Sequence, residues 1–242
     1  MTSNYYNDPE FSYPKYWQGR SYEHAAEILA IRRLLGKRHV ASAADIGGGY
    51  GRLAPIFLKF TDHLTIIEPS VKQRRLAKGV NTIFGSAEDT GLPASSFDLV
   101  SIIRVLHHLP HPQPALQEIH RILRPGGLLL LEFANSFNFK ARITSLITGQ
   151  PISTLPLERR RASNIRRGSI PFVNHHPQAI LKALSQTGFV ILKTLSVSNF
   201  RSPSNPIVHL SAGPTVRLNS RTVGFLKKPR HRAGAGAFLM VK

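Results

Sequence analysis

The sequence predicts an α/β fold in which helices cover both faces of a mostly parallel, doubly wound sheet. Short apolar runs alternate with helical segments from residue 19 to residue 133, as successive strand–helix units require. Four glycines and one carboxylate stand at the first strand–helix junction, residues 43–52. With 242 residues, 42 % of them hydrophobic, the chain can bury a sizeable core and is expected to form one elaborated domain.

The first strand is predicted at residues 40–46, because this small and apolar run is typical of a strand buried on both faces. The next helix should start near Gly51, since Pro55 is tolerated only in a first turn. The intervening glycines let the backbone turn sharply and let a ligand approach it closely.

The spacing of these glycines narrows the kind of ligand. A dinucleotide fingerprint would need a third glycine where the chain has Arg52, and a phosphate-binding P-loop would need a Lys followed by Ser or Thr. Neither pattern is present. What remains is Asp-x-Gly-x-Gly-x-Gly, formed by Asp45, Gly47, Gly49 and Gly51.

This pattern resembles the first motif of the class I methyltransferases that use S-adenosylmethionine. The resemblance implies that the loop, including Gly48, passes the methionine part of the cofactor. It also implies that Asp45 places the cofactor's ammonium group, directly or through water, and that S-adenosylhomocysteine is the product.

A second strand, residues 63–68, ends in Glu68, which lies 23 residues after Asp45. An acid at about this interval in a βαβ unit reaches ribose hydroxyls, and a carboxylate can accept from both of them. We therefore assign Glu68 to the ribose, with Pro69 beside it in the cofactor site.

The third strand (residues 80–84), the loop 85–93 and the fourth strand (residues 96–100) look like the adenine region of the same family. Family members usually carry Asp where this chain has Ser86. Either Ser86 accepts one hydrogen bond from the adenine or Glu88 replaces the missing acid, and Ala87 lies between them. Residues 103–109, with Arg104, resemble the segment that passes the sulfonium side.

The remaining elements complete the resemblance. A helix closes with a Pro-Gly-Gly stop at residues 125–127, before a fifth strand at 128–133. Asn174 is expected to cap a helix from His175 to Gln186, and a sixth strand is predicted at 189–197. The last strand, 235–241, should pair antiparallel with the sixth, which gives a seven-stranded, Rossmann-like methyltransferase fold. Residues 201–232 are expected to form a long loop.

Four regions are expected within this single domain of residues 1–242. They are an N-terminal helical and aromatic segment (1–38), a cofactor-binding core (39–133), a basic, lid-like insertion after the fifth strand (134–172) and a C-terminal part with a basic loop (173–242). Four aromatic residues of the first region could close over the substrate or anchor the core, and the sequence leaves both readings open: Tyr13, Tyr16, Trp17 and Tyr22.

The net charge of +19 lies almost entirely in the second half of the chain. Residues 1–133 contain 15 basic and 12 acidic residues, whereas residues 134–242 contain 17 basic residues and one acid, Glu158. The simplest interpretation is that these basic residues form a solvated surface. The alternatives are that they bind nucleic acid, an anionic membrane surface or an anionic substrate. Few aromatic side chains lie among the basic residues to stack on bases, which weakens the case for nucleic acid.

No general base is evident, and an in-line methyl transfer needs one only if the nucleophile keeps its proton. His108 is the candidate, because histidine titrates near neutrality and lies in the segment beside the sulfonium. The favoured alternative is that His107 and His108 only pack and hydrogen-bond. Neighbouring His175 and His176 point different ways on a helix, so we expect no metal site.

The chain has no cysteine, no basic and apolar leader and no apolar run near the roughly 20 residues that span a bilayer. We therefore expect a soluble, cytoplasmic protein. The leading hypothesis is methyl transfer to an O, C or N nucleophile of a small molecule. Two others stay open: an RNA methyltransferase recruited by the basic half, and a binding protein that retains the cofactor fold without turnover.

Overall fold

The computed structural model describes residues 4–8, 10–197, 211–212 and 236–242. Its helices are α1 (Asn4–Asn7), α2 (Tyr13–Gln18), α3 (Ser21–Leu35), α4 (Ala54–Phe57), α5 (Val71–Leu76), α6 (Gln113–Ile122), α7 (Phe139–Thr148), α8 (Ala162–Arg166) and α9 (Pro177–Gln186). Its strands are β1 (Val40–Ile46), β2 (Thr61–Ile67), β3 (Asn81–Ile83), β4 (Phe97–Ile102), β5 (Leu123–Ala134), β6 (Leu157–Glu158), β7 (Val173–Asn174), β8 (Ile191–Val197), β9 (Ser211–Ala212) and β10 (Gly236–Val241). A 3₁₀ helix covers Leu106–His108.

The main sheet has the order β3-β2-β1-β4-β5-β10-β8-β9. Strands β1 to β5 pair in parallel, and β10 runs antiparallel to both β5 and β8. The prediction of a doubly wound, mostly parallel sheet with an antiparallel last strand is confirmed.

The edge of this sheet contains one short strand, β9, that was not predicted. Within the stretch 201–232, which the sequence predicted to be a loop, Ser211–Ala212 pairs antiparallel with Leu195 and Ser196 of β8. The prediction was wrong at these two residues, because the exposed edge of β8 still offers backbone groups to pair with. The rest of that stretch, including the basic cluster 227–232, lies outside the described residues.

Helices pack against both faces of the sheet. On one face, Ile102 and Leu131 belong to a core that includes Leu116 and Ile119 of α6 and Leu184 of α9. The other face packs against α3 and α4 through a second cluster of Ile31, Leu34, Phe57, Ile66 and Leu130. Ile66 and Ile67 belong to the cores on opposite faces of the sheet, and both are completely buried. Because both faces are covered, these strands do not alternate between polar and apolar residues.

Three predicted boundaries need correction, the first of them at α4. This helix begins at Ala54 rather than near Gly51, because residues 50–53 form turns in which the Ala54 N–H donates to the Gly51 carbonyl (3.0 Å). Pro55 does lie in its first turn, as predicted.

The Pro-Gly-Gly segment is not a stop between helix and strand. Helix α6 already ends at Ile122, and β5 begins at Leu123, which pairs with Phe97. The next pair is Leu99 with Leu128, so the intervening residues of β5 bulge out of the ladder. Gly126 supplies the positive φ (84°) that this irregularity requires.

The third correction concerns α9. It begins at Pro177, and its N-cap is His176, whose Nδ1 accepts from the Gln178 N–H (3.2 Å). Asn174 is not the cap, because it pairs with Leu157 in the two-stranded sheet β6–β7. The insertion after β5 therefore contains α7, α8 and this small sheet.

The described residues include no helix with both the length and the apolar character needed to cross a membrane.

Candidate active site

The carboxyl ends of the parallel strands gather the predicted cofactor residues at one edge of the sheet. Ile46, at the end of β1, pairs with Ile67 on one side and with Ile102 on the other. The segments that follow these three residues carry the glycine loop, Glu68 and Arg104. This edge is where doubly wound sheets bind their ligands.

The glycine loop closes tightly over its own strand. Gly47 has a positive φ (67°), and a Cβ at this position would overlap the side chain of Val105. A Cβ on Gly48 would lie 2.6 Å from Oδ2 of Asp45. The loop backbone therefore passes directly against the Asp45 carboxylate, where no Cβ could be accommodated.

Asp45 is almost completely buried, with 2 % of its surface exposed. The Ser101 hydroxyl donates to its Oδ1 (2.6 Å). Burial raises the pKa of Asp45 to about 7, although the Ser101 hydrogen bond and the charge of Arg52 oppose this shift. A bound cation, such as an ammonium group, would stabilise the ionised form.

Glu68 is also buried and joins two loops at the sheet edge. Its Oε2 accepts from the Gly49 N–H (3.0 Å), and its Oε1 accepts from the Ser70 N–H (2.9 Å). Burial raises the pKa of Glu68, opposed by these two hydrogen bonds and by Arg74. Each carboxylate oxygen has a second lone pair, so the residue fits a ligand with two neighbouring hydroxyl groups.

The predicted adenine residues lie in the turn after β3. The Ser86 hydroxyl accepts from the Asp89 N–H (3.1 Å), and the Ser86 N–H donates to the Asp89 carbonyl (2.8 Å). Ala87 is buried and Glu88 is exposed, as is Pro69 beside Glu68. The Ser86 hydroxyl therefore already accepts a hydrogen bond within this turn. The contacts of Ser86 and Glu88 with adenine stay predictions.

Arg104 belongs to an ion-pair network that the sequence analysis missed. Its Nε donates to Oε1 of Glu27 on α3 (2.7 Å), and Arg52 donates to Oε2 of the same carboxylate (2.5 Å). The Arg104 N–H donates to Oε2 of Glu132 on β5 (3.0 Å). The side chain predicted to face the cofactor is thus engaged with Glu27, and its backbone is held at the end of β4.

The charges of this network depend on one another. Burial opposes the charge of Arg104, but the neighbouring Glu27 and Glu132 carboxylates raise its pKa above the usual range. Burial raises the pKa of Glu132, with Arg104 acting against it. Arg104 also has a positive φ of 64°, which is unfavourable for a residue with a Cβ and persists only where the surroundings hold it.

The N-terminal segment covers this edge of the sheet. The ring of Tyr13 lies against Gly49, where an added Cβ would be 3.3 Å from Cε1 of the ring. Trp17 is buried beneath the Arg52 guanidinium, which lies 3.6 Å from its ring centroid. Tyr13 therefore covers the loop, Trp17 anchors the core, and Tyr16 remains 44 % exposed. The burial of Trp17 fits the core-anchor interpretation, whereas closure of these aromatic residues over a substrate stays a prediction.

Further contacts hold α1 against the segment that follows Glu68. The Ser70 hydroxyl lies within hydrogen-bonding distance of the Tyr6 carbonyl (3.2 Å) and of Asn7 Oδ1 (2.6 Å). Lys72 Nζ donates to the carbonyls of Asp8 (2.6 Å) and Phe11 (2.7 Å). Residues 6–8 and Phe11 thus lie near the end of β2, beside the segment that carries Glu68.

His108 has partners at both ring nitrogens. Its Nδ1 lies 2.8 Å from the Pro171 carbonyl, which only accepts, so this nitrogen carries the proton. Its Nε2 therefore accepts from the Tyr6 hydroxyl (3.0 Å). Burial lowers the pKa of His108, and burial lowers that of neighbouring His107 well below its usual range. His108 is neutral at pH 7, and its role as a base stays a prediction.

The second histidine pair serves the local structure. His175 is buried, and its Nε2 lies 2.9 Å from the Leu106 carbonyl, while His176 caps α9. The part of the chain that the structure describes contains no cluster of His, Asp or Glu residues suited to a metal ion.

Comparisons with known proteins agree with this geometry. The family model described as a methyltransferase domain matches residues 44–131. A ubiquinone/menaquinone biosynthesis C-methyltransferase (UbiE) of Rubrivivax gelatinosus is 35 % identical over 120 residues, covering 44 % of this chain and 48 % of that protein. The rice 2-methyl-6-phytyl-1,4-hydroquinone methyltransferase 1 is 32 % identical over 101 residues, which are 38 % of this chain and 31 % of its own length. The chain thus matches less than half the length of these two relatives.

The fold as a whole has a counterpart among solved structures. A Thermotoga maritima protein described as an S-adenosylmethionine-dependent methyltransferase and possible histamine N-methyltransferase superposes with a TM-score of 0.66. The superposition covers 95 % of this chain and 93 % of that one at 21 % identity, so it shows the shared fold alone. Residues 44–131 thus match a methyltransferase domain, and the chain as a whole shares the Rossmann-like fold of S-adenosylmethionine-dependent methyltransferases.

Proposed function

We propose that the protein transfers the methyl group of S-adenosylmethionine to a small-molecule acceptor and releases S-adenosylhomocysteine. One observation carries this proposal. The buried carboxylates of Asp45 and Glu68 flank a glycine loop, whose Gly49 N–H donates to Glu68. The first carboxylate suits the ammonium group of the cofactor, and the second suits its ribose hydroxyls.

When bound, S-adenosylmethionine supplies a methyl group on a positively charged sulfur that is already a good leaving group. The residues of the chain have to position the acceptor in line with that methyl group and exclude water. The segment that carries Tyr6 and Tyr13 lies over this edge of the sheet and suits the exclusion of water. Arg104 and Val105 belong to the stretch after β4 that would pass the sulfonium.

The acceptor that the site suits best is a small aromatic molecule. One of the similar proteins is named a hydroquinone methyltransferase, and another is named a C-methyltransferase of ubiquinone and menaquinone biosynthesis. Aromatic rings surround the proposed acceptor side, with Phe172 packed against His107 (4.6 Å between ring centroids) and Tyr6 against His108 (6.0 Å). The RNA-directed and non-catalytic alternatives have no comparable support.

Calorimetry with S-adenosylmethionine tests the cofactor site independently of the acceptor. In Glu68→Ala, we expect affinity to fall by about 10- to 100-fold, because hydrogen bonds to a buried charge are lost. Asp62→Ala is the matched control, since this acid lies on β2 and its side chain is 64 % exposed. Equal affinities of the wild type and Glu68→Ala would contradict the assignment of the ribose site.

Turnover is then measured with a labelled methyl donor and a panel of hydroquinones, phenols and RNA. The proposal expects label in a small aromatic compound. Label in RNA alone, or cofactor binding without transfer to any class of acceptor, would instead support one of the two alternatives.

The pH dependence of turnover tests His108. Because burial lowers its pKa, His108 should be ready to accept a proton throughout the range above pH 6.5, and the rate should not rise there through its titration. If it is the base, His108→Gln should lower kcat by about 100- to 10,000-fold. A reduction below about 10-fold, with cofactor affinity retained, would assign it the structural role that its bonds to Tyr6 and Pro171 already describe.

A further inference from the structure

The polar side of helix α7 lines a cleft at the surface of the protein. Four small or hydroxyl-bearing residues at helical spacing line a cleft of about 350 Å³: Ala141, Thr144, Ser145 and Thr148. Leu157 and Arg159 lie on the same cleft, so α7 and β6 border one surface feature. Ala141 and Ser145 are half-buried and Thr144 and Thr148 are exposed, so α7 lies on the surface without the buried apolar face that a surface helix ordinarily has.

The apolar face of α7 is consequently in contact with solvent. Leu146 is 85 % exposed, Ile147 is 78 % exposed and Ile143 is 40 % exposed, at spacings of three and four residues along one side of the helix. More exposed apolar residues follow in the same insertion: Leu155, Leu157, Ile165 and Phe172. Apolar side chains concentrated in this way mark a surface that binds something.

Positive charge accompanies these apolar residues. Residues 139–172 contain seven Lys or Arg residues and one acid, Glu158. That acid is already paired with Arg160 (2.7 Å). Within the described ranges, no acid pairs with Arg159, Arg161, Arg166 or Arg167, all of which are exposed.

We propose that residues 139–172, the insertion surface, bind the face of an anionic lipid bilayer. Helix α7 would lie in the plane of the interface, with Leu146 and Ile147 inserted at the boundary between headgroups and acyl chains. The arginines would attract the anionic headgroups. This combination of an apolar helix face and basic side chains is what interfacial binding requires.

Charge and composition argue against three other binding partners for the insertion surface. A second copy of the chain would bring the same positive surface against this one. Residues 213–235 of the chain itself carry six Lys or Arg residues and no acid, so they would also be repelled. Nucleic acid would suit the charge, but it gives no reason for exposed Leu146 and Ile147, which cannot stack on bases as aromatic side chains do.

Sedimentation with vesicles tests the proposal on the full-length protein. Vesicles of phosphatidylcholine with phosphatidylglycerol should bind the wild type, and vesicles of phosphatidylcholine alone should bind it much less. The double variant Leu146→Glu, Ile147→Glu should weaken binding to the anionic vesicles by at least about 10-fold, because two apolar side chains no longer insert. Leu58→Glu, Val190→Glu is the control, since these residues are 45 % and 47 % exposed outside the insertion.

The charges are tested separately. Arg166→Gln, Arg167→Gln should weaken binding by roughly five-fold for each charge removed, and added salt should reduce this difference. The control is the double variant Arg32→Gln, Lys37→Gln. It changes the net charge by the same amount, but its two residues lie in the N-terminal half of the chain, outside the insertion surface. A thermal unfolding transition at the wild-type temperature shows that each variant is folded.

Vesicle binding is independent of cofactor binding and turnover, so its failure would leave the proposed methyl transfer untouched. Equal vesicle binding by the wild type and Leu146→Glu, Ile147→Glu would overturn the proposal. So would a wild-type dimer that this variant dissociates in the absence of any vesicle binding. Preferential binding of an RNA oligonucleotide, unaffected by the apolar variant, would point to nucleic acid instead.

Discussion

Glu27→Gln is expected to lower the free energy of unfolding by about 3 kcal/mol, since removing one partner of a buried ion pair leaves the other charges uncompensated. The carboxylate of Glu27 is the acceptor for both Arg52 and Arg104, and its side chain is only 4 % exposed. The value lies at the lower end of the range for buried pairs because the Arg104 side chain remains 31 % exposed. Urea unfolding at pH 7 measures the change.

The control for this prediction is an ion pair at the surface. Glu158→Gln removes the pair with Arg160, which has the same N–O distance of 2.7 Å as that of Glu27 with Arg104. Its expected cost is below about 1 kcal/mol, because solvent reaches the carboxylate of Glu158, whose side chain is 34 % exposed against 4 % for Glu27. The double variant Glu27→Gln, Arg104→Met should regain part of the lost stability. Strictly additive effects of the two substitutions would show that the two side chains are not coupled.

The network also explains how a helix that carries none of the predicted cofactor residues bears on the site. Arg52 directly follows the glycine loop and Arg104 begins the stretch after β4, and both are bonded to one residue of α3. Glu132 adds a bond from β5 to the backbone of Arg104. We therefore expect Glu27→Gln to weaken cofactor binding as well as folding, although Glu27 belongs to no motif of the cofactor site.

The parts of the site that the sequence predicted are those set by local spacing. The glycine loop needs a strand before it and a helix after it, and Glu68 stands at the end of the next strand, so both positions follow from the order of the elements. Glu27 gives no such signal, because its bond to Arg104 joins residues 77 positions apart. In the sequence it is one more acid on an amphipathic helix, and Arg52 entered only as an argument against a dinucleotide site.

The errors in the fold have a related cause. Asn174 is a good N-cap by residue type, but its backbone pairs with Leu157, a residue of the insertion, and His176 takes the capping role. Helix α7 was likewise not predicted, because the sequence indicated only a basic, lid-like insertion there. These outcomes depend on tertiary partners, whereas the parallel core follows from periodicity and buried apolar runs.

Asp45→Asn should have opposite effects on folding and on cofactor binding. The pKa of Asp45 is about 7 in the folded protein, well above the value near 3.9 of an unfolded chain. The folded state therefore binds more protons between these two values, and the wild type loses stability as the pH rises from about 4 to 7. At pH 8 the uncharged Asn should stabilise the fold by at most about 4 kcal/mol, and at pH 4 the difference should disappear.

The cofactor reverses this preference, because its ammonium group stabilises the ionised carboxylate. Wild-type affinity for S-adenosylmethionine should accordingly increase from pH 6 to pH 8, with release of a proton on binding. Asp45→Asn should bind about 10- to 100-fold more weakly at pH 8 and lose this pH dependence. Calorimetry in buffers of different ionisation enthalpy measures both the affinity and the proton release.

Asp98→Asn provides a control of opposite sign for the stability measurement. Partial burial of Asp98 favours a higher pKa, but hydrogen bonds from Arg124 and Ser42 outweigh it and lower the pKa. Its ionised form therefore stabilises the fold, and its replacement should destabilise the protein at pH 8. If Asp45→Asn also destabilised the fold at pH 8, burial would not be the dominant effect on Asp45. If Asp45→Asn stabilised the fold without lowering the affinity for S-adenosylmethionine, the buried carboxylate would have to bind a different ligand.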